Sequence, residues 1–143
     1  MNEETVRQVQ QSFKALVPRA DEVGVLFYAR LFDTYPEVRR IFPDDIKPQA
    51  KKLVQMLAVV VGSLHRFDTI LPAVADLARR HNGYGVVEEH YEAVGLSLIW
   101  TLRRGLGAGF TPAVEQAWME AYAALSSVMI AAAKGPASAG RSN

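Results

Sequence analysis

The stretch LARRHNGYGVV, residues 77–87, places a histidine at the end of an apolar, helix-periodic segment and directly before Asn-Gly. The spacing predicts a helix over about 70–81, with His81 on its last turn. There, the Leu77 carbonyl is a natural acceptor for one ring nitrogen, which would fix the tautomer and leave the other nitrogen for a metal. A histidine at a helix end is by itself more often a capping or surface residue, so the rest of the chain must decide.

The rest of the chain repeats the helical pattern. Apolar residues recur three and four positions apart in nearly every segment, and alternating strand patterns are absent, which predicts an all-α fold. We expect a short helical turn at 36–43 and further helices at about 4–17, 21–35, 48–64, 88–105 and 112–133. Residues 1–134 are expected to form one domain, followed by a flexible tail of small and polar residues at 135–143.

Composition excludes several classes of protein. The 16 basic and 15 acidic residues nearly cancel, which argues against a nucleic-acid partner or an anionic membrane. The absence of cysteine excludes disulfides and thiolate chemistry. The N-terminus lacks the features of a secretory signal, and the longest apolar run, residues 53–64, is interrupted by Gln55. We therefore expect a cytoplasmic protein with no membrane partner.

The segment GLGAGF, residues 105–110, superficially resembles a phosphate-binding loop. Such a loop follows a strand, and none is predicted here. The glycines instead predict the turn that ends a helix, where glycine relieves left-handed backbone strain.

The predicted helix at 48–64 has the broadest apolar face in the chain, which suggests deep burial. Its stripe consists of Ala50, Leu53, Leu57, Val60 and Leu64. Gln49 stands at one end, so a polar group is followed by an apolar wall, as in a cofactor slot. A haem needs an apolar slot, one axial nitrogen and suitable polar groups on the opposite face. The same stripe is equally compatible with an ordinary core.

Taken in order, these segments resemble a globin over about residues 4–132. YPEVRRIFP, residues 35–43, is similar to the globin segment in which a proline opens a short helix and a phenylalanine packs on the haem, here Pro36 and Phe42. LARRHNGYGVV resembles the segment with the proximal histidine, which makes His81 the iron ligand. FTPAVEQAWMEAYAAL, residues 110–125, resembles the last helix.

The resemblance implies a globin fold, a three-on-three helical sandwich around haem b. The chain looks most similar to single-domain bacterial globins of the neuroglobin-like branch, and closest to the Hell's Gate globin type.

On the distal side, the resemblance puts Gln49 where most globins have a histidine, and Tyr28 at the matching position of the second helix. Both side chains are neutral donors that can hydrogen-bond partial negative charge on a bound gas. Leu53, one turn from Gln49, is expected to press on the ligand. The implied ligands are dioxygen and other diatomic gases such as nitric oxide and carbon monoxide, with oxygen bound tightly and released slowly.

Further residues complete the expected haem pocket. Lys52 is expected at the rim, near a haem propionate, while Leu77 and Val86 are expected on the proximal side. Arg79 and Arg80 are weaker candidates, because a solvated charge explains them as well.

Three functions remain open. The first is gas binding, with nitric oxide dioxygenation as an activity suggested by bacterial relatives; that activity needs re-reduction, and without a dinucleotide fingerprint in the chain we expect a separate reductase. The second is a gas sensor that acts through a partner. The third is a haemless, globin-like module for protein interaction.

Overall fold

The computed structural model describes the backbone of residues 1–83 and 88–141 and the side chains of residues 1–81 and 89–132. Within these residues the chain contains helices and no strand, which confirms the all-α prediction. The six α-helices, numbered in chain order, are α1 (Glu3–Leu16), α2 (Ala20–Thr34), α3 (Lys47–Gly62), α4 (Leu71–Gly83), α5 (Glu88–Leu106) and α6 (Pro112–Arg141). Short 3-10 segments lie between them at Val17–Arg19, Pro36–Ile41, Leu64–Ile70 and Gly107–Gly109.

Local signals in the sequence set two of the helix boundaries. The Val114 backbone N–H donates to Thr111 Oγ1 at 3.2 Å, so Thr111 caps the first turn of α6. After α5, Gly107 adopts a φ of 54°, in the left-handed region that glycine tolerates best. The prediction that GLGAGF forms a helix-ending turn is thus confirmed.

Three helix ends differ from the predicted ones by two residues or more, and one of them is the end of α4, which lies at Gly83 instead of residue 81. Helix α3 ends at Gly62, and His65 lies in the 3-10 segment that follows, where the backbone at Arg66 is non-helical (φ −138°, ψ 49°). A glycine followed by a serine favours helix poorly, which explains the earlier end. Helix α6 continues to Arg141, into the segment predicted to be a flexible tail. The flexibility of that segment stays a prediction.

The chain bends by 105° between α3 and the segment Leu64–His81. Taken together, these two pieces have the length and composition of a bent membrane span. No single helix in the described ranges is long and apolar enough to cross a membrane.

Buried contacts join α1 to α6 at one side of the bundle. The Trp118 indole N–H donates to Ser12 Oγ at 2.8 Å, and the Ser12 hydroxyl donates in turn to the Gln8 carbonyl at 2.7 Å. Phe13 packs against Trp118 with ring centroids 6.3 Å apart. Helix α4 packs mainly on the same α6, whereas α2 packs on α3 and α5.

Helices α2 and α3 cross very closely at Gly24 and Ala50. A Cβ atom added to Gly24 would lie 2.8 Å from the Ala50 carbonyl oxygen and 3.1 Å from Ala50 Cβ. Only glycine permits this approach, because the obstacle is backbone that cannot move aside. Tyr28 follows Gly24 by one helical turn and Gln49 precedes Ala50. The crossing therefore sets the relative position of these two predicted ligand-binding residues.

We expect Gly24→Ala to lower the free energy of unfolding by about 1–3 kcal/mol, because the added methyl group overpacks the crossing. Urea unfolding of the purified variant measures this change. Gly62→Ala is the matched control, because a Cβ atom there meets no atom within 4 Å; its stability should stay within about 1 kcal/mol of the original chain. Equal stability of the two variants would contradict the close crossing.

Candidate functional site

Tyr28 lies at the centre of an aromatic cluster formed by α2 and by Phe42, the residue after the Pro36–Ile41 segment. It is buried, with 4% of its surface exposed. The Tyr28 ring meets the rings of Phe27 at 4.9 Å, Phe32 at 5.7 Å and Phe42 at 5.3 Å between centroids. Since Phe32 and Phe42 also contact each other at 5.4 Å, three sides of the tyrosine are enclosed by aromatic carbon. This packing leaves Tyr28 little freedom to change rotamer.

Arg39 holds the backbone around Phe42 in place. Its guanidinium donates to the carbonyls of Phe42 at 3.3 Å, Pro43 at 2.9 Å and Asp44 at 2.8 Å. The guanidinium carbon also lies 4.8 Å from the centroid of the Phe32 ring. Phe42 is predicted to pack on the haem. Its ring is held by the contact with Tyr28, and its backbone is held by the hydrogen bond from Arg39.

The hydroxyl of Tyr28 has a polar neighbour in Gln49. Burial raises the pKa of Tyr28, and hydrogen bonding with the Gln49 side chain lowers it by less. The phenol therefore stays protonated at neutral pH and keeps a hydrogen to donate. The structure brings together Tyr28, Phe42 and Gln49, three of the residues predicted for the site.

The apolar face of α3 is less covered than its periodicity predicts. Ala50, Val60 and Val61 are buried, but Leu53, Met56 and Leu57 are only half-buried. The prediction of a deeply buried helix is wrong for this part of the face. The protein covers the side of α3 that crosses α2 and leaves the row of Leu53 and Leu57 partly open. A flat apolar group lying against the row would complete its burial.

On α4, His81 makes the local contact predicted for it. Its Nδ1 atom lies 2.8 Å from the Leu77 carbonyl oxygen, and both residues are half-buried. With the ring donating from Nδ1, the tautomer carries its lone pair on Nε2, the nitrogen suited to bind a metal. Val86, predicted on the proximal face, lies outside the described residues.

The charged residues considered for the rim are exposed. Lys52 projects from α3 with an exposed side chain. Arg79 and Arg80 lie 3.8 Å and 3.4 Å from the carboxylate oxygens of Asp76, with more than half of each side chain exposed. This geometry supports the solvated interpretation for both arginines.

The described residues supply the three kinds of group that a haem site requires, namely an imidazole ligand, neutral hydrogen-bond donors and apolar surface. One group, Tyr28, Phe42 and Gln49, precedes the 105° bend and supplies neutral donors beside an aromatic ring. The other, Leu77 with His81, follows the bend and supplies an oriented imidazole. The half-buried leucines of α3 add the apolar surface that a porphyrin requires.

Sequence reasoning missed two features that position the site. Gly24 inside α2, one turn before Tyr28, is a signal that could have indicated the close helix crossing, because glycine is unfavourable in a helix interior unless space demands it. For the contacts of Arg39 the sequence carries no comparable signal, since they depend on the path of the chain after Ile41.

Known proteins resemble this chain in sequence and in fold. The model of the globin family matches residues 25–129. The flavohemoprotein of Bacillus subtilis is 26% identical over 133 residues, covering 91% of this chain and 33% of that protein. The flavohemoprotein of Vibrio cholerae is 30% identical over 124 residues, covering 82% of this chain and 32% of that protein. The chain thus spans about a third of the length of these relatives.

Two further proteins match over nearly their whole length. An uncharacterized globin-like protein of Aquifex aeolicus is 28% identical over 130 residues, which covers 91% of this chain and 92% of that protein. The structure of a bacterial globin from Campylobacter jejuni aligns with a TM-score of 0.83 at 24% identity, covering 93% of this chain and 96% of that one. At this identity, the second match supports the fold alone.

The family and its flavohemoprotein relatives imply a haem cofactor. The predicted all-α globin fold is confirmed by both the family match and the structural match. The chain belongs to the globin family.

Proposed function

We propose that this chain is a haem b protein that reversibly binds dioxygen, and other diatomic gases, between His81 on one side and Tyr28 with Gln49 on the other. The haem iron supplies the position at which the gas binds. The observation that carries the proposal is the hydrogen bond from His81 Nδ1 to the Leu77 carbonyl at 2.8 Å. The Tyr28 and Gln49 pair supports a place among the single-domain bacterial globins of the neuroglobin-like branch, closest to the Hell's Gate type.

His81 is proposed as the proximal ligand, through Nε2. Donation from Nδ1 to a backbone carbonyl raises the basicity of the ring and holds its orientation on the last turn of α4. The absence of cysteine from the chain removes the thioether links of a c-type haem, which favours a noncovalently held haem b.

Five further residues are proposed to contact the porphyrin. Phe42, Leu53 and Leu77 are half-buried apolar residues that would supply its walls, and the exposed ammonium of Lys52 would meet a propionate. Val86 remains a proposed proximal contact.

Tyr28 and Gln49 are proposed to donate hydrogen bonds to the bound gas, with Leu53 limiting its space. A buried phenol held by aromatic neighbours is a fixed dipole, and in surroundings that exclude water such donors act more strongly than in solvent. Because burial raises the pKa of Tyr28, the donor persists through neutral pH. The pair therefore favours slow release of oxygen.

Absorption spectroscopy tests the cofactor and its ligand. We expect the purified protein, supplied with haem, to show a strong Soret band, and His81→Ala to lose it while circular dichroism shows that the helices persist. His65→Ala is the matched control, since His65 is exposed beyond the end of α3 and should leave the spectrum unchanged.

An unchanged Soret band in His81→Ala would overturn the assignment of the ligand. Failure of the original chain to take up haem would instead favour a haemless interaction module.

Stopped-flow measurement of oxygen dissociation tests the distal residues. Tyr28→Phe and Gln49→Ala should each speed release by about tenfold to a hundredfold, since each removes a hydrogen bond worth about 1–3 kcal/mol in a dry pocket. Tyr35→Phe and Gln55→Ala are the matched controls, because Tyr35 follows the last residue of α2 and Gln55 is exposed on α3. Dissociation rates equal to those of the controls would show that neither side chain contacts the gas.

We further propose nitric oxide dioxygenation as one use of the bound oxygen, supported by the similarity to flavohemoproteins over most of the chain. The reaction joins dioxygen, nitric oxide and one electron to give nitrate, and a bound haem would supply that electron. The described residues form no strand on which a dinucleotide-binding fold could be built. We therefore propose that a reductase outside these residues returns the electron to the haem.

Rapid mixing of the oxygenated protein with nitric oxide tests this activity. We expect one equivalent of nitrate without a reductase, and repeated turnover once a reductase and its nicotinamide cofactor are added. A single equivalent in both cases would leave gas binding as the function and overturn the enzymatic role.

A further inference from the structure

A half-buried tryptophan lies between two arginines where α2 packs on α5. The guanidinium carbon of Arg30, on α2, is 4.7 Å from the centroid of the Trp100 ring. That of Arg104, one turn after Trp100 on α5, is 5.3 Å from the same centroid. Leu96, one turn before Trp100, is 54% exposed. We call these four residues the α2–α5 patch.

The described residues leave the charge of the patch without a counter-charge in contact. The ion pairs among them involve other arginines, namely Arg7, Arg79, Arg80 and Arg103. Asp33 lies three residues after Arg30 in the sequence but forms no ion pair with it. The guanidinium groups of Arg30 and Arg104 are no farther apart than the sum of their distances to the shared ring, which is close to the Debye length of about 10 Å at 0.1 M salt. Their fields therefore reinforce each other at the surface.

Local effects explain only part of the patch. Arg104 lies in the last turn of α5, where the helix dipole favours a cation. Arg30 has no such reason for its position, because it lies inside α2. Tryptophan and arginine are the side chains that most often carry the binding energy of protein interfaces. The patch thus combines an apolar centre, Leu96 and Trp100, with a cationic rim, which is the composition of an interface.

We propose that the α2–α5 patch is a docking surface for a partner protein that presents carboxylates around an apolar side chain. A carboxylate can accept two parallel hydrogen bonds from one guanidinium group, so each arginine would take one acidic side chain of the partner. The apolar side chain would cover Leu96 and the open part of the Trp100 ring. This inference does not depend on gas binding.

The charges favour this occupant over a second copy of the chain. In a two-fold contact the patch would face itself and bring two pairs of arginines together without a carboxylate between them. The charges also favour a protein over a polyanion. Recognition of an anionic membrane typically takes a cluster of about four to eight lysines or arginines, whereas the patch supplies two.

A random peptide library displayed on phage tests which chemistry the patch selects. Peptides selected on the purified full chain should carry Asp or Glu around an aliphatic or aromatic residue. Once synthesised, they should shift the NMR signal of the Trp100 indole N–H, and their affinity should fall steeply as salt rises. In calorimetric titration, Arg30→Glu combined with Arg104→Glu should weaken their binding by about tenfold or more.

The matched control is Arg7→Glu combined with Arg40→Glu. It changes the net charge by the same amount at exposed positions on α1 and in the Pro36–Ile41 segment, and it should leave peptide binding intact. Circular dichroism shows whether both double variants fold. Peptides with lysine in place of each acidic residue should bind the Arg30→Glu, Arg104→Glu variant and not the original chain. Loss of folding cannot produce such a reversal.

Several results would overturn the proposal. Selected peptides that lack acidic residues, or that bind both double variants equally, would show that the patch does not recognise carboxylates. Self-association in sedimentation experiments that Arg30→Glu with Arg104→Glu abolishes would assign the patch to a second copy. Tighter binding to phosphatidylserine vesicles than to any selected peptide, lost in the same variant, would assign it to a membrane.

Discussion

The close crossing of α2 and α3 at Gly24 and Ala50 is the constraint that sets the geometry of the proposed distal side. A Cβ atom added to Gly24 would lie 2.8 Å from a backbone oxygen, so the two helix axes are held at a separation that no other residue allows. Tyr28 and Gln49 lie within one turn of this contact and become neighbours because of it. A site built on a contact between two backbones is more rigid than one built on loops, since neither side can yield.

The other contacts near that crossing hold the buried phenol of Tyr28 in place. Burying a tyrosine hydroxyl is unfavourable unless it has a polar neighbour, and the Gln49 side chain is close enough to lower the pKa of Tyr28, though by less than burial raises it. The rings of Phe27, Phe32 and Phe42 enclose the phenol, and Arg39 fixes the chain that carries Phe42. These contacts orient a neutral donor in advance, so that the proposed binding of a gas would need little reorganisation. His81 is oriented separately, by a hydrogen bond within α4, a helix that packs on α6.

Features governed by neighbours in sequence could be predicted, and features governed by packing could not. The helices, the Thr111 cap, the Gly107 turn and the bond from His81 to Leu77 depend on residues within four positions of each other, so periodicity and residue type suffice. Periodicity shows which face of α3 is apolar but not how much of that face the protein covers, and half-burial of Leu53 and Leu57 therefore escaped prediction. The close approach at Gly24 is a contact between distant segments, and the contacts of Arg39 depend on the path of the chain after Ile41, which periodicity does not predict.

In the proposed site, one imidazole nitrogen of His81 would hold the iron, and Tyr28 and Gln49 would lie on the other side of the porphyrin. A crystal structure of the haem-loaded protein with carbon monoxide bound tests this most directly. We expect His81 Nε2 on the iron, Nδ1 still bonded to the Leu77 carbonyl, and the Tyr28 hydroxyl and Gln49 amide on the side of the gas. Iron held by any other side chain, or a gas far from both Tyr28 and Gln49, would overturn the proposed site.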